Sequence, residues 1–290
     1  MAKPSCSDTP SLADLRRDID RIDEAMHRLL MERGEIISRL IAVKRSQESG
    51  SAFRPAREAE MMRRLVERHH GILPLDTVES IWRVIIGTFT YVQSPYTVHA
   101  DLSAGDAAMR DSARFHFGFT VPFAGHPSAS ATVAGVAAAT GDLGLVPATG
   151  VAGAGAWWSA LEAQTAPKII ARLPFVERED HPAALPLFVV SRPAADAVVT
   201  DVETWSVKVA GWGPGVSRAV SPLAEFVVVP DGVFDGAALL VSVPMGRTFD
   251  DIVGALVEAG ASVRSTALVG SHATRYTVSP DGNRPVATGH

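Results

Sequence analysis

Cysteine is almost missing from this sequence: Cys6 is the single one in 290 residues. That excludes an internal disulfide framework and any cysteine-rich metal site. No stretch approaches ~20 consecutive apolar residues, and the first residues lack the apolar core of a signal peptide. No membrane partner is therefore expected, and the expected setting is cytoplasmic. A surplus of positive charge is missing too. Residues 1–94 hold 15 Lys and Arg against 14 Asp and Glu, and residues 95–290 hold 12 against 18. Neither part is basic enough to take nucleic acid as its main partner. What is present is 47% hydrophobic and 20% charged residues, the profile of a globular rather than a disordered chain. At this length two domains of ordinary size fit better than one.

The longest uninterrupted helical pattern runs from Ser11 to Arg45. Its apolar positions step by threes and fours through Leu12, Leu15, Ile19, Ile22, Met26, Leu29, Ile36, Leu40 and Val43, a stripe along one side of an α-helix. Ser11 is placed to cap it, with Asp14 completing a weaker capping box. Between Leu29 and Ile36 the apolar step is replaced by Arg33. Lys44 lies close to three whole turns further on, so it shares the face of Arg33. Two cations on a face that otherwise seeks burial are costly unless an anion meets them. The run Ser46–Ser51 ends this helix. A second begins near Pro55 and stops at Gly71, and a third begins near Asp76 and closes before Pro95. On the third, Trp82, Ile86, Phe89 and Gln93 share a seam.

One long helix and two shorter ones would leave the far half of the long stripe in water. A two-fold dimer through the long helices is the economical solution. The polar groups on faces that read as buried are Arg33, Lys44, Arg57, Glu58 and Gln93, with Arg16 near the start of the long helix. Cations outnumber carboxylates, and neither a Ser/His/Asp set nor a metal-ligand spacing accompanies them. Such a set suits a small dianion whose reaction needs electrostatic stabilisation rather than a nucleophile.

These residues also carry a family resemblance. The runs Leu15-Arg16-Arg17-Asp18-Ile19-Asp20-Arg21-Ile22-Asp23, Glu32-Arg33, Lys44, Pro55-Ala56-Arg57-Glu58-Ala59 and Ile81-Trp82-Arg83 through Gln93 resemble the all-helical chorismate mutases, especially those fused to prephenate dehydratases. The resemblance implies an intertwined homodimer and the pericyclic conversion of chorismate to prephenate, with no cofactor and no metal. It implies that Arg16, from the partner's long helix, and Arg33 bind the substrate carboxylates with help from Arg57. Lys44 and Gln93 would contact the ether oxygen of the breaking bond, and Glu58 with Lys44 would hold the ring hydroxyl. Two positions depart from the family pattern. Arg54 stands where the family often has Asp, which leaves a backbone contact to substrate at that position. Phe89 stands where a small residue is usual and would narrow the site. An isochorismate pyruvate-lyase of the same helical fold is the rival within enzymes. A degenerate mutase that senses an aromatic amino acid is the rival outside them.

After Pro95 short β-type runs alternate with Ala-rich helices. Strands are expected at 96–102, 120–124, 143–147, 168–175 and 185–190, with helices at 107–117, 130–140 and 156–163. That predicts an α/β layer with a largely parallel sheet. From Trp205 the order becomes strand, helix, strand, strand, helix, strand, a ferredoxin-like sequence of elements. The expected organisation is a tail at 1–10, a helical mutase domain at 11–94, an α/β domain at 95–194, a ferredoxin-like, ACT-like module at 200–280 and a tail at 281–290, with a linker near Pro193–Val199. Given the N-terminal resemblance, the α/β part is similar to a dehydratase segment. Its run Leu185-Pro186-Leu187-Phe188 stands where that family carries Thr-Arg-Phe, so dehydratase chemistry is not expected. Gly246-Arg247-Thr248-Phe249 is loosely similar to an effector loop. The Gly-rich runs Gly150–Gly155 and Gly211–Gly215 read as loops and Trp157-Trp158 as packing. His69-His70 falls where it meets a helix C-terminal dipole.

Overall fold

The computed structural model describes residues 10–44, 52–150, 154–183, 185–192, 201–231 and 235–278. The run Ser46–Ser51, the linker near Pro193–Val199, the tail at 281–290 and all but the last residue of the tail at 1–10 lie outside them. The chain forms two compact units, one carrying the first helix and the other everything from the second helix onward.

The first unit is α1, Leu12–Lys44, about 50 Å of helix at 1.5 Å per residue. Its start is capped as the sequence leads one to expect. The Asp14 amide donates to the Ser11 hydroxyl, which donates back to the Asp14 carboxylate at 2.6 Å. The hydrogen bonds that the Ser11 hydroxyl and the Ser11 amide donate to it hold the Asp14 carboxyl below its ordinary range. Leu12, Leu15, Ile19, Ile22, Met26, Leu29, Ile36 and Val43 are each 46–67% exposed, so the apolar stripe is uncovered along the helix.

The second unit opens with α2 (Pro55–Arg68) and α3 (Leu75–Gln93). A parallel β-α-β-α-β segment follows: β1 (Val98–Asp101), α4 (Asp106–Phe117), β2 (Phe123–His126), α5 (Ala129–Ala138) and β3 (Leu143–Pro147). Then come a single 3₁₀ turn at Trp157–Leu161, β4 (Lys168–Leu173), β5 (Val176–Glu177) and β6 (Leu187–Ser191). The last run is β7 (Val202–Ala210), α6 (Pro214–Val220), β8 (Glu225–Pro230), β9 (Ala237–Val243), α7 (Phe249–Glu258), β10 (Ser262–His272) and β11 (Tyr276–Thr277).

Nine of these strands make one sheet in the order β2-β1-β3-β6-β4-β10-β7-β9-β8, while β5 and β11 pair by themselves. The expectation of a largely parallel layer is corrected here. β6 lies between β3 and β4 and runs antiparallel to both. The expected helix at 156–163 is only the short 3₁₀ turn, and the strand expected at 120–124 begins at Phe123. From β7 on, the four strands stand fourth, first, third, second, every neighbour antiparallel. The two halves of the sheet meet where β10 runs parallel to β4, with Gly270 opposite Ile169. A Cβ at Gly270 would fall 2.1 Å from the Ile169 carbonyl oxygen, so the junction requires glycine.

Helices α2 and α3 do not fold apart from the strands. Phe53, Met62, Leu65 and Ile86 share one core with Val98, Met109, Phe117, Leu143 and Leu145. Gly87 is packed so closely on the end of α4 that a Cβ would sit 3.2 Å from the Phe117 backbone. Among the described residues no helix is long and apolar enough to cross a membrane.

Candidate functional site

On α1, Arg16 is exposed and Arg33 half-buried, and Lys44 is the last helical residue. Arg33 and Lys44 are separated by about 16 Å of rise with nearly the same rotation about the axis, as eleven residues of helix require.

On the second unit, Arg54 precedes α2 and its carbonyl accepts from the Glu58 amide at 3.0 Å. Its Nη1 donates to the Phe53 carbonyl at 3.3 Å, and the side chain is half-buried. Arg57 is exposed, whereas Glu58 is buried. The fully buried Arg83 of α3 donates from Nη1 to Glu58 Oε2 at 2.7 Å and from Nη2 to the His116 carbonyl at 3.1 Å. It also lies 5.0 Å above the Phe175 ring. Burial pushes the Glu58 carboxyl up, against the Arg83 charge and hydrogen bond and a backbone hydrogen bond from Arg54. Gln93 ends α3, half-buried, with Nε2 donating to the Phe89 carbonyl at 3.0 Å. Phe89 itself is half-buried.

The structure thus joins Arg54 to Glu58 and gives Glu58 the partner Arg83. Arg83 is the residue that reading for buried charge passed over. It lies four residues from Glu79 and four from Gly87, on a buried face of α3 that is not an apolar stripe, so the argument that singled out Arg33 did not reach it. Beyond it the polar chain goes on. Glu79 Oε2 accepts from Arg178 Nη1 at 2.8 Å, and Arg178 also pairs with Asp76. His181 Nδ1 accepts from the Ala183 amide at 3.0 Å, so its Nε2 carries the proton and donates to Glu79 Oε1 at 3.2 Å. The rings of His181 and His116 stack at 6.1 Å. Burial, then Arg83, then His181 hold the His116 imidazole well below its ordinary value. A separate polar chain crosses the parallel strands, from Asp142 to His99 at 3.0 Å and from His99 to His126 at 2.8 Å.

Several eye-catching sequence runs have structural places. Thr248 caps α7 in a reciprocal box with Asp251, and Phe249 stacks on Trp205 at 4.0 Å. Leu187 and Phe188 are buried in β6, and the Arg172 guanidinium lies 5.7 Å over the Phe188 ring.

Residues 15–94 match the family model of chorismate mutase type II. The match takes in α1 from Leu15 onward, α2 and α3, and spans every mutase-type residue named above. The chain is similar to the bifunctional chorismate mutase/prephenate dehydratase of Neisseria gonorrhoeae (strain ATCC 700825 / FA 1090), 31% identical over 103 residues, which are 36% of this chain and 27% of that protein. It is also similar to the bifunctional chorismate mutase/prephenate dehydratase of Aquifex aeolicus (strain VF5), 29% identical over 140 residues, 47% of this chain and 38% of that protein. The chain therefore spans well under half the length of these curated relatives. A solved structure described as "GqqA- a novel type of quorum quenching acylases" shares 11% identity at a TM-score of 0.39, over 62% of this chain and 95% of that one. A likeness at that level carries no functional argument.

Proposed function

We propose that the protein is a chorismate mutase, converting chorismate to prephenate in aromatic amino-acid biosynthesis. The observation that carries this reading is the family match over residues 15–94, the span that holds Arg16, Arg33, Lys44, Arg57, Glu58 and Gln93. The reaction is unimolecular. As the ether C–O bond breaks and the new C–C bond forms, negative charge gathers on the ether oxygen, and no proton need move. Holding the chair-like conformer and donating to that oxygen supply the rate.

Arg33 and a partner subunit's copy of residue 16 take the two carboxylates in this reading, with Arg57 assisting and the Arg54 backbone beside them. Lys44 and Gln93 donate to the ether oxygen. Glu58 accepts from the ring hydroxyl, its carboxylate oriented by Arg83. The uncovered stripe of α1 supports self-association, since monomers rarely keep an apolar face of that length in water. The setting in this reading is cytoplasmic.

For the rest of the chain we propose a non-catalytic role. Along the sequence the division is a mutase-type helical segment at 11–94, of which α2 and α3 share their core with the strands, a dehydratase-like α/β part at 95–194 and a ferredoxin-like, ACT-like part at 200–280. The strand order β10-β7-β9-β8 supports the last, and the apolar Leu187 and Phe188 support loss of dehydration.

The test is to supply chorismate and isochorismate separately to the full chain and identify the products. Prephenate from chorismate is expected, with no phenylpyruvate from added prephenate. Pyruvate released from isochorismate, with chorismate untouched, would replace this reading by the lyase. No turnover of either, with a melting temperature raised by phenylalanine or tyrosine, would replace it by the sensor.

A further inference from the structure

In the second unit the nine-stranded sheet curls until its edge strand β8 comes within ion-pair reach of β4, four places away in the strand order. The curl encloses a hollow of about 230 Å³. Phe188 of β6, Val227 of β8 and Leu240 of β9 give it an apolar wall, and Ser242 adds a hydroxyl. Arg172 of β4 and Glu225 of β8 are the charged side chains among its described lining residues.

The Arg172 side chain is 11% exposed, and its Nη1 donates to Glu225 Oε2. Its Nη2 has no acceptor among the described residues and, unlike Nε, is not sealed from solvent. That prong is what Arg172 offers to the hollow it lines. Glu225 is a weak holder of the other prong. It is the first residue of β8, and its side chain is 62% exposed. An ion pair so open to water contributes little to stability. On its other side stands Arg275, whose Nη2 lies 3.9 Å from Glu225 Oε1 while Nη1 pairs with Glu177 at 2.6 Å.

The sign of the site follows from these neighbours. The Glu225 carboxylate stands between two largely buried guanidiniums, and burial, then the Arg172 charge, already hold the Arg275 guanidinium below its ordinary value. If Glu225 swings out to water, only another anion can take its place without leaving the two cations facing each other. We propose that the hollow binds a small organic monocarboxylate that displaces Glu225 from Arg172. The guest's carboxylate accepts from Nη1 and Nη2 together, the two-pronged grip a guanidinium favours, where Glu225 accepts from Nη1 alone. Its apolar body lies against Phe188, Val227 and Leu240. The inference does not depend on the mutase reading, whose cations stand on other elements.

Calorimetric titration of the full chain tests it with two probes of one shape, cyclohexanecarboxylate and the neutral cyclohexanecarboxamide. The carboxylate is expected to bind roughly tenfold tighter than the amide. Glu225→Gln removes the competing carboxylate and should tighten cyclohexanecarboxylate several-fold while leaving the amide unchanged. Arg172→Gln should erase the preference for the carboxylate, whereas Arg33→Ala should keep it. Equal binding of the two probes, binding of neither, or a preference that survives in a folded Arg172→Gln variant overturns the proposal. So does a Glu225→Gln variant that binds the carboxylate no tighter than the parent. Should circular dichroism show that Arg172→Gln does not fold, the gain in Glu225→Gln decides, since the loss of a merely structural ion pair would not improve binding.

Discussion

Removing Arg83 strands Glu58 in a place that water does not reach. Breaking a buried pair from one side typically costs about 3–5 kcal/mol, so Arg83→Met should lower stability by that order in urea unfolding. The loss should shrink toward pH 5, because a carboxyl already pushed up by burial takes a proton once its cation is gone. Adding Glu58→Leu should recover part of it. A loss below about 1 kcal/mol for Arg83→Met would contradict the pairing. His272 gives a second pH signature. Burial holds its imidazole near 4, with Arg172 and Arg275 also lowering it, while the Ala273 carbonyl and Glu225 work the other way. Its Nδ1 lies 2.9 Å from that carbonyl and Nε2 is unpartnered, the arrangement of a neutral ring. The unfolded chain takes up a proton at this residue below about pH 6.5 and the native chain does not until about 4. Stability should therefore fall across that window as pH drops, by roughly 3 kcal/mol from this residue. His272→Gln should flatten the curve there, and an unchanged curve would contradict the assignment. None of this was legible in the sequence. Arg33 announced itself by interrupting a stripe of leucines and isoleucines, but Arg83 lies among Glu79, Gly87 and Thr90, where a buried face looks like an exposed one.

At the level of elements, periodicity and caps located α1, α2 and α3, whereas the helix expected at 156–163 is only a 3₁₀ turn. The ends of α1, α2 and α3 follow from Ser11, Pro55 and the residues before Pro95, because capping and proline act locally. Sheet sense did not follow, because alternation along a strand says which face is buried and nothing about the direction of its neighbour. β6 therefore reads like the parallel strands before it although it runs against both of its partners. β5 and β11 are two residues each, too short for any pattern. The junction between β4 and β10 depends on Gly270, whose need becomes visible only with Ile169 beside it. Gly270→Ala should destabilise the second unit by about 3 kcal/mol, as overpacking against fixed backbone does. Native-state hydrogen exchange should show the loss spread over β4 and β10. Exchange in those strands unchanged from the parent would contradict the close approach.

For the whole molecule, the uncovered stripe on α1 leads to a prediction about assembly. The chain should sediment as a dimer of twice its 30.7 kDa mass. A pair of charges placed in the stripe, Ile19→Asp with Ile22→Asp, should give a monomer that has lost turnover. A monomeric parent, or full activity in the monomeric variant, would contradict the two-fold arrangement. The residues proposed for the mutase-type site can be singled out in the sequence because they put cations at helical spacing on an apolar stripe. Gln93→Glu, in the same reading, should move the optimum for turnover to lower pH, because a carboxyl can donate to the ether oxygen only while protonated; an unmoved profile would argue against that contact.

The most direct test of the account is steady-state turnover of chorismate by the full chain with Lys44→Ala beside the parent. Prephenate should form with the parent, and kcat should fall by about 10²–10³-fold in the variant, the scale of a lost oxyanion donor. Turnover within a few-fold of the parent would contradict the claim that positive charge at Lys44 stabilises the breaking bond.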